Sequence, residues 1–229
     1  TVRVYLMANV PHFALANGEP MRPAMCQQAT NPLHAGAPMR ALLVAMDKWL
    51  TTGAVPPPSR YPSRRDGTLV TPETAASAFP TVSGFTHRGV INRLAVVDHT
   101  VMPPTKGKPY PVFVGKTDAD GHDLAGIRLP ALDAPLATYI SWNYRQEGFA
   151  GGDLCDLYGS ILPLAATKAA RLATGDQRLS LEERYPHAGD YAAAVSAAAR
   201  RLVEDRLMLA EDAARIVEAA SRSPVNAAR

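Results

Sequence analysis

Prolines determine where regular structure can form in the first part of this chain. Four of them crowd the stretch from 55 to 63, and proline cannot continue a helix. The stretch is therefore predicted to be a stiff, extended connector, and we favour one that lies on its own domain over a linker between domains. Upstream, residues 13–37 contain three more prolines and two glycines, which predicts an irregular surface loop.

Two regular elements flank that loop. Residues 2–10 begin with apolar side chains alternating with Arg3 and Tyr5, which predicts a strand buried on at least one face and ending at Pro11. A helix is predicted to begin near Pro38 and to end at Gly53. Its expected apolar face is formed by Leu42, Leu43, Met46, Trp49 and Leu50.

The second half of the chain changes from β-type to helical patterns. Residues 69–145 read as mainly β, with strands near 90–97 and 137–144 and a hairpin turn at 118–121. Thr167 and Ser180 then have the side chains and spacing of helix caps. An Ala-rich helix follows from Tyr191 to about Leu209, with a second through Ala219.

These patterns divide the chain into four segments. They are a strand, loop and helix over 1–54, the connector over 55–68, a β-rich segment over 69–150 and a helical segment over 151–229. We expect them to form one compact unit of mixed α and β structure.

Composition narrows the class of protein. With 229 residues, 47% hydrophobic and 20% charged, the chain is typical of a globular protein, and no long apolar run suggests a membrane span. A net charge of +3 is too small for a nucleic-acid-binding surface, so a soluble protein without that partner is expected. Cys26 and Cys155 are compatible with one bridge or with two buried thiols, which leaves both cytoplasmic and exported locations open.

Long stretches of the chain resemble the closing part of the large bacterial α/β-hydrolase-domain family. The resemblance covers nearly the whole chain. It is carried by TVRVYLMANVPH, CQQATNP, APMRALLVAMDKWLTTGAVPPPSRYP, DADGHDLAGIRLPALDAPLATYISWNYR and GSILPLAATKAARLATGDQRLSLEERY.

The resemblance implies a fold and a role for one histidine. Residues 2–10 would be the last strand of the hydrolase sheet, and His12 would be the catalytic histidine on the loop after it. The implied protein is a serine-type hydrolase of carboxylic esters, with a small-molecule ester substrate and no diffusible cofactor. Its N-terminal portion would be a required partner of this chain, and assembly into a homo-oligomer stays open.

The chain departs from the family pattern at the nucleophile. No G-x-S-x-G elbow occurs, and neither Ser83 nor Ser160 has the surrounding glycines that such an elbow needs. The acidic member of the triad would also precede Thr1, so we expect no hydrolysis by this chain alone. Two alternatives therefore stand: a non-catalytic accessory or binding module beginning near Leu69, and a degenerate hydrolase that kept only the fold.

Other residue clusters favour structural roles. His122 and the neighbouring Asp118, Asp120 and Asp123 lack the spacing of a calcium loop, and there is no zinc motif, so a hairpin turn and no metal are expected. The aromatic residues Tyr139 and Trp142, with their neighbours, favour core packing over the lining of a pocket.

Overall fold

The computed structural model describes residues 2–13 and 20–226. Within this part of the chain, short helices and strands are joined by long irregular segments. The helices, labelled α1 to α7, are Gly36–Thr52, Pro72–Ala78, Pro130–Asp133, Lys168–Thr174, Leu181–Arg184, Asp190–Glu204 and Ala210–Ser221. The strands, labelled β1 to β6, are Leu69–Val70, Ala95–Asp98, Thr105–Pro109, Val114–Gly115, Ala137–Ile140 and Ser160–Pro163.

The strands form three separate antiparallel pairs instead of one broad sheet. The pairs are β1 with β4, β2 with β3 and β5 with β6. The β-rich segment predicted from the sequence thus contains short antiparallel pairings, one of which reaches β6 in the segment predicted to be helical, and β2 begins only at Ala95. None of the helices in residues 2–13 and 20–226 combines the length and apolar character needed to cross a bilayer.

The opening segment, residues 2–10, is extended but is not the regular strand that alternation predicted. Tyr5 forms a single parallel bridge with Arg60, and Met7 forms another with Ile127. Because each partner comes from a different part of the chain and contributes one bridge, no continuous ladder forms. The connector over 55–63 contacts this segment, and its Pro57 carbonyl accepts a hydrogen bond from the Tyr5 hydroxyl at 2.5 Å.

Helix α1 ends where the sequence predicted but buries a different face. Gly53 adopts a left-handed φ of 73° and its N–H donates to the Trp49 carbonyl, which closes the helix. The buried side is formed by Ala37, Pro38 and Ala41. Most of the apolar face predicted from the sequence is exposed, with Leu43 and Leu50 at 61% and 76%, whereas Leu42 packs against the buried cluster that contains Ala37.

Local capping signals in the helical segment are confirmed. The Thr167 hydroxyl accepts from the Ala170 N–H at the start of α4, and Ser180 forms a full capping box with Glu183 at the start of α5. The predicted Ala-rich helix ends earlier than expected, at Glu204, and Arg206 then takes a positive φ of 60°.

The largest buried cluster joins distant parts of the chain. Its members include Ala37 from α1, Ile127 from the irregular segment before α3, and Leu202, Leu207 and Met208 from the helical end. Residues from three of the four predicted segments therefore share one core. This core holds residues 2–10 and the start of α1 in a defined place, because Met7 and Tyr5 pack against it.

Candidate active site

His12 lies just beyond a sharp turn at the end of the extended opening segment. The turn is formed at Asn9, whose φ of 54° is a left-handed conformation that asparagine tolerates better than most residues. Asn9 itself is buried, whereas His12 is exposed. The imidazole contacts the ring of Phe13, with the centroids 4.7 Å apart, and Phe13 contacts Tyr158 at 5.6 Å.

The backbone that carries His12 is held from two sides. The side-chain amide of Asn31, which is fully buried, donates to the Asn9 carbonyl at 2.7 Å and to the Ile140 carbonyl at 3.0 Å. On the other side, the Phe13 N–H donates to the Leu157 carbonyl at 3.2 Å. These bonds satisfy buried polar groups and restrain the turn, so a solvent-exposed imidazole is carried by a fixed backbone.

A disulfide also helps to hold the backbone around His12 in place. Cys26 and Cys155 are bonded, with their Cα atoms 5.7 Å apart and their positions 129 apart in sequence. Of the two alternatives that the sequence left open, the paired form is the one found. The bridge ties the proline-rich loop, which carries Asn31, to the segment that contains Leu157.

The comparison with protein families decides what kind of domain this is. A family model described as "Alpha/beta hydrolase domain" matches residues 1–218, which is nearly the whole chain. The chain belongs to the α/β-hydrolase family. No curated protein and no solved structure in the comparisons matches it.

In α/β hydrolases the catalytic residues follow the order nucleophile, acid, histidine. The location of His12, exposed on a restrained loop after an extended segment, is compatible with the last position in that order. Among the described residues, however, no serine or carboxylate is hydrogen-bonded to His12. Ser160 is buried and its hydroxyl donates to the Trp142 carbonyl at 2.8 Å, while Ser83 lies in an exposed turn.

The side chains of Asp118, Asp120 and His122 lie as close together as the ligands of a metal site, but the two carboxylates form ion pairs with arginines of the same chain. Ligand atoms of the three residues lie within 4.8 Å of one another. Asp118 is paired with Arg128 at 2.9 Å, and Asp120 is paired with Arg184. The backbone forms the predicted turn, with the Gly121 N–H donating to the Asp118 carbonyl at 3.0 Å. The arrangement is therefore explained by a hairpin turn bound to two arginines.

His122 has a structural environment. Its ring is fully buried, and its Nε2 accepts a hydrogen bond from the Tyr139 N–H at 3.1 Å. Burial lowers the pKa of this imidazole to about 4, although the nearby carboxylates of Asp118 and Asp120 act in the opposite direction. The ring is consequently neutral at pH 7.

The aromatic residues divide between core and cavity. Tyr139 and Tyr144 are buried, as the core interpretation predicted. Trp142 instead lines a cavity together with His87 and Asp123, two residues that the sequence did not predict to share a pocket. Nothing near His87 or Asp123 in sequence signals their proximity, since they belong to segments that only the fold brings together.

Proposed function

We propose that this chain is the histidine-bearing C-terminal part of a serine-type α/β hydrolase that acts on carboxylic esters. The observation that carries the proposal is His12, exposed on a restrained loop after an extended segment, in a chain that belongs to this family. Its imidazole would take the proton of the serine hydroxyl during attack on the ester carbonyl. It would then return that proton to the leaving alcohol.

The hydrogen-bonding pattern of the opening segment supports a missing neighbour. Backbone hydrogen bonds join the opening segment to Arg60 and Ile127 through Val4, Leu6 and Ala8. In an extended chain the backbone groups of every second residue point to the same side, so all of these bonds lie along one edge of the segment. The backbone amides of the intervening residues, Arg3, Tyr5 and Met7, have no partner among the described residues. The Met7 carbonyl on this second edge accepts from the Val10 N–H, so the edge is open to pairing with another strand along Arg3 and Tyr5.

The exposed side of α1 also supports the proposal that another part of the hydrolase packs here. Met39, Leu43, Met46 and Leu50 are all at least 48% exposed and form an apolar surface on one helix. Val2 and Val4 on the opening segment are exposed as well, at 81% and 49%. Apolar area of this kind usually marks an interaction surface. The proposed occupant is the N-terminal portion of the hydrolase, which would also supply the serine and the acidic residue.

The test compares the 229-residue chain with a form extended upstream. Both are assayed for turnover of p-nitrophenyl acyl esters and for labelling by a fluorophosphonate serine probe. We expect labelling and turnover only in the extended protein. In that protein, His12→Ala should lower kcat by about 10⁴-fold or more.

A matched control is His99→Ala, which removes another exposed histidine and should leave turnover unchanged. Near-normal kcat in a folded His12→Ala protein would reject the role of His12. If the extended form neither labels nor turns over ester, the accessory module or the degenerate hydrolase replaces the proposal.

A further inference from the structure

A cavity separate from the exposed imidazole lies between α2 and the end of β5. It has a volume of about 330 Å³, which is within the range of small-molecule sites. Helix α2 contributes Ala75, and the adjoining residue Phe79 continues the same wall. Ile140 and Trp142, at and just beyond the end of β5, form the opposite wall.

Three aromatic rings line one side of the cavity. The rings of Phe79 and His87 have their centroids 5.1 Å apart, and those of His87 and Trp142 are 5.0 Å apart in an edge-on arrangement. Rings at such distances favour a further planar ring placed against them. The cavity therefore suits an aromatic group better than a branched aliphatic one.

Asp123 supplies a carboxyl group to the lining of the cavity. Its backbone N–H donates to the Asn9 side-chain oxygen at 2.7 Å, and burial raises the pKa of its carboxyl group. The carboxylate also lies against Gly115, where an added Cβ would be only 2.7 Å from Asp123 Oδ1. The absence of a side chain at position 115 thus leaves room for the carboxylate beside the cavity.

His87 adds a second polar group of complementary type. Its Nδ1 accepts from the Gly89 N–H at 3.1 Å, so the hydrogen of the neutral ring is on Nε2. Burial lowers the pKa of this imidazole, which favours the neutral form at pH 7. The cavity is consequently lined by a hydrogen-bond acceptor at Asp123 and a donor at His87.

We propose that this cavity binds a small neutral molecule consisting of an aromatic ring with a hydroxyl group, which is a phenol in its simplest form. The ring would lie against Phe79 and Trp142, and the hydroxyl would donate to Asp123. The proposal concerns binding alone and does not depend on ester hydrolysis by His12.

The two tryptophans of the chain provide a direct test with an internal control. Trp142 lines the cavity, whereas Trp49 lies on α1, so a ¹⁵N-labelled sample gives one indole signal from each place. The signals are assigned with a Trp49→Phe variant. Titration with p-cresol should shift the Trp142 signal and leave the Trp49 signal unmoved, and calorimetry should give the Kd.

Recognition of the hydroxyl is tested with Asp123→Asn and with toluene, which has the ring but no donor. A hydrogen bond to a carboxylate predicts that toluene binds about tenfold more weakly than p-cresol, or worse. The Asp123→Asn change keeps an acceptor oxygen but removes its charge, so it should reduce that difference. Equal binding of both ligands to the unmodified chain would overturn the proposal and leave only an apolar cavity.

Whether p-cresol binds in this cavity is tested by a substitution that fills the cavity with a larger side chain. Ala75→Leu places a larger side chain in the cavity wall and should abolish the Trp142 shift. Ala78→Leu makes the same change at an exposed position of the same helix and should leave the shift intact. Binding that survives Ala75→Leu, or no shift with p-cresol in a folded chain, would reject the site. His12→Ala should leave binding unchanged, so this result is independent of the catalytic proposal.

Discussion

At the scale of single residues, His122 makes the stability of the folded chain depend on pH. The neutral ring accepts the Tyr139 N–H at Nε2, an atom that a protonated ring could no longer use as an acceptor. Because burial lowers the folded-state pKa to about 4, the unfolded chain binds a proton between pH 6.5 and about 4 that the folded chain does not. This contribution to stability is complete above pH 6.5 and is lost as the pH falls through that window.

The prediction is a pH-dependent loss on the order of 3 kcal/mol in the free energy of unfolding, measured by denaturant titration. A His122→Gln variant keeps an acceptor but does not titrate, so its stability should fall less over the same range. His99→Gln removes an exposed imidazole and should retain the full dependence of the unmodified chain. Identical pH profiles for the unmodified chain and His122→Gln would contradict the argument.

At the scale of elements, the capping box of α5 also connects two helices. The Ser180 hydroxyl donates to Glu183 at 2.8 Å, and the same carboxylate accepts two hydrogen bonds from Arg171 on α4, at 2.8 and 3.0 Å. Hydrogen bonding from Arg171 lowers the pKa of Glu183 to about 2. A short helix is thereby held to its neighbour by one carboxylate.

Ser180→Ala is expected to lower the free energy of unfolding by roughly 1–2 kcal/mol, because the cap is lost and Ser180 is fully buried. Ser221→Ala is the control, since it removes a hydroxyl that bonds only to the Val217 carbonyl on an exposed helix surface. Thermal or chemical unfolding of both variants measures the difference. Equal stability of the two variants would show that the box contributes nothing beyond an exposed hydroxyl.

At the scale of the whole molecule, we propose that the four segments unfold together. Ala37, Ile127 and Leu202 share one buried cluster although they come from three segments, and the Cys26–Cys155 bridge closes a separation of 129 residues. A single transition should therefore be seen by tryptophan fluorescence and by circular dichroism. Two separated transitions would instead indicate independent domains.

The disulfide should stabilise this unit because it restricts the unfolded chain. Reduction, or replacement of Cys26 and Cys155 by serine together, is expected to lower the free energy of unfolding by about 2–5 kcal/mol. The double variant is its own control, because a reductant should no longer change its stability. An unmodified chain that is equally stable with and without reductant would show that the bridge does not contribute.

Local features of this protein were predictable from the sequence because their causes lie within a few residues. Gly53 ends α1, Thr167 begins α4, Ser180 caps α5 and Gly121 permits the hairpin turn, each through bonds to residues at most five positions away. The position of His12 after an extended segment belongs to this class too. Its proposed role came from the family resemblance and not from local chemistry.

Tertiary structure alone decided which surfaces are buried and which distant groups meet. The alternation of apolar and polar side chains predicted that the opening segment is extended. Only the fold decided that its hydrogen-bonding partners, Arg60 and Ile127, both lie along one edge of that segment. The sequence shows an apolar side on α1, but only the fold decided that the side bearing Ala37 is buried while most of that apolar side is exposed. The pairing of Asn9 with Asp123 joins residues 114 positions apart. Helix caps and turns depend on short-range hydrogen bonds that a sequence displays, whereas burial and long-range contacts depend on how every segment packs against the others.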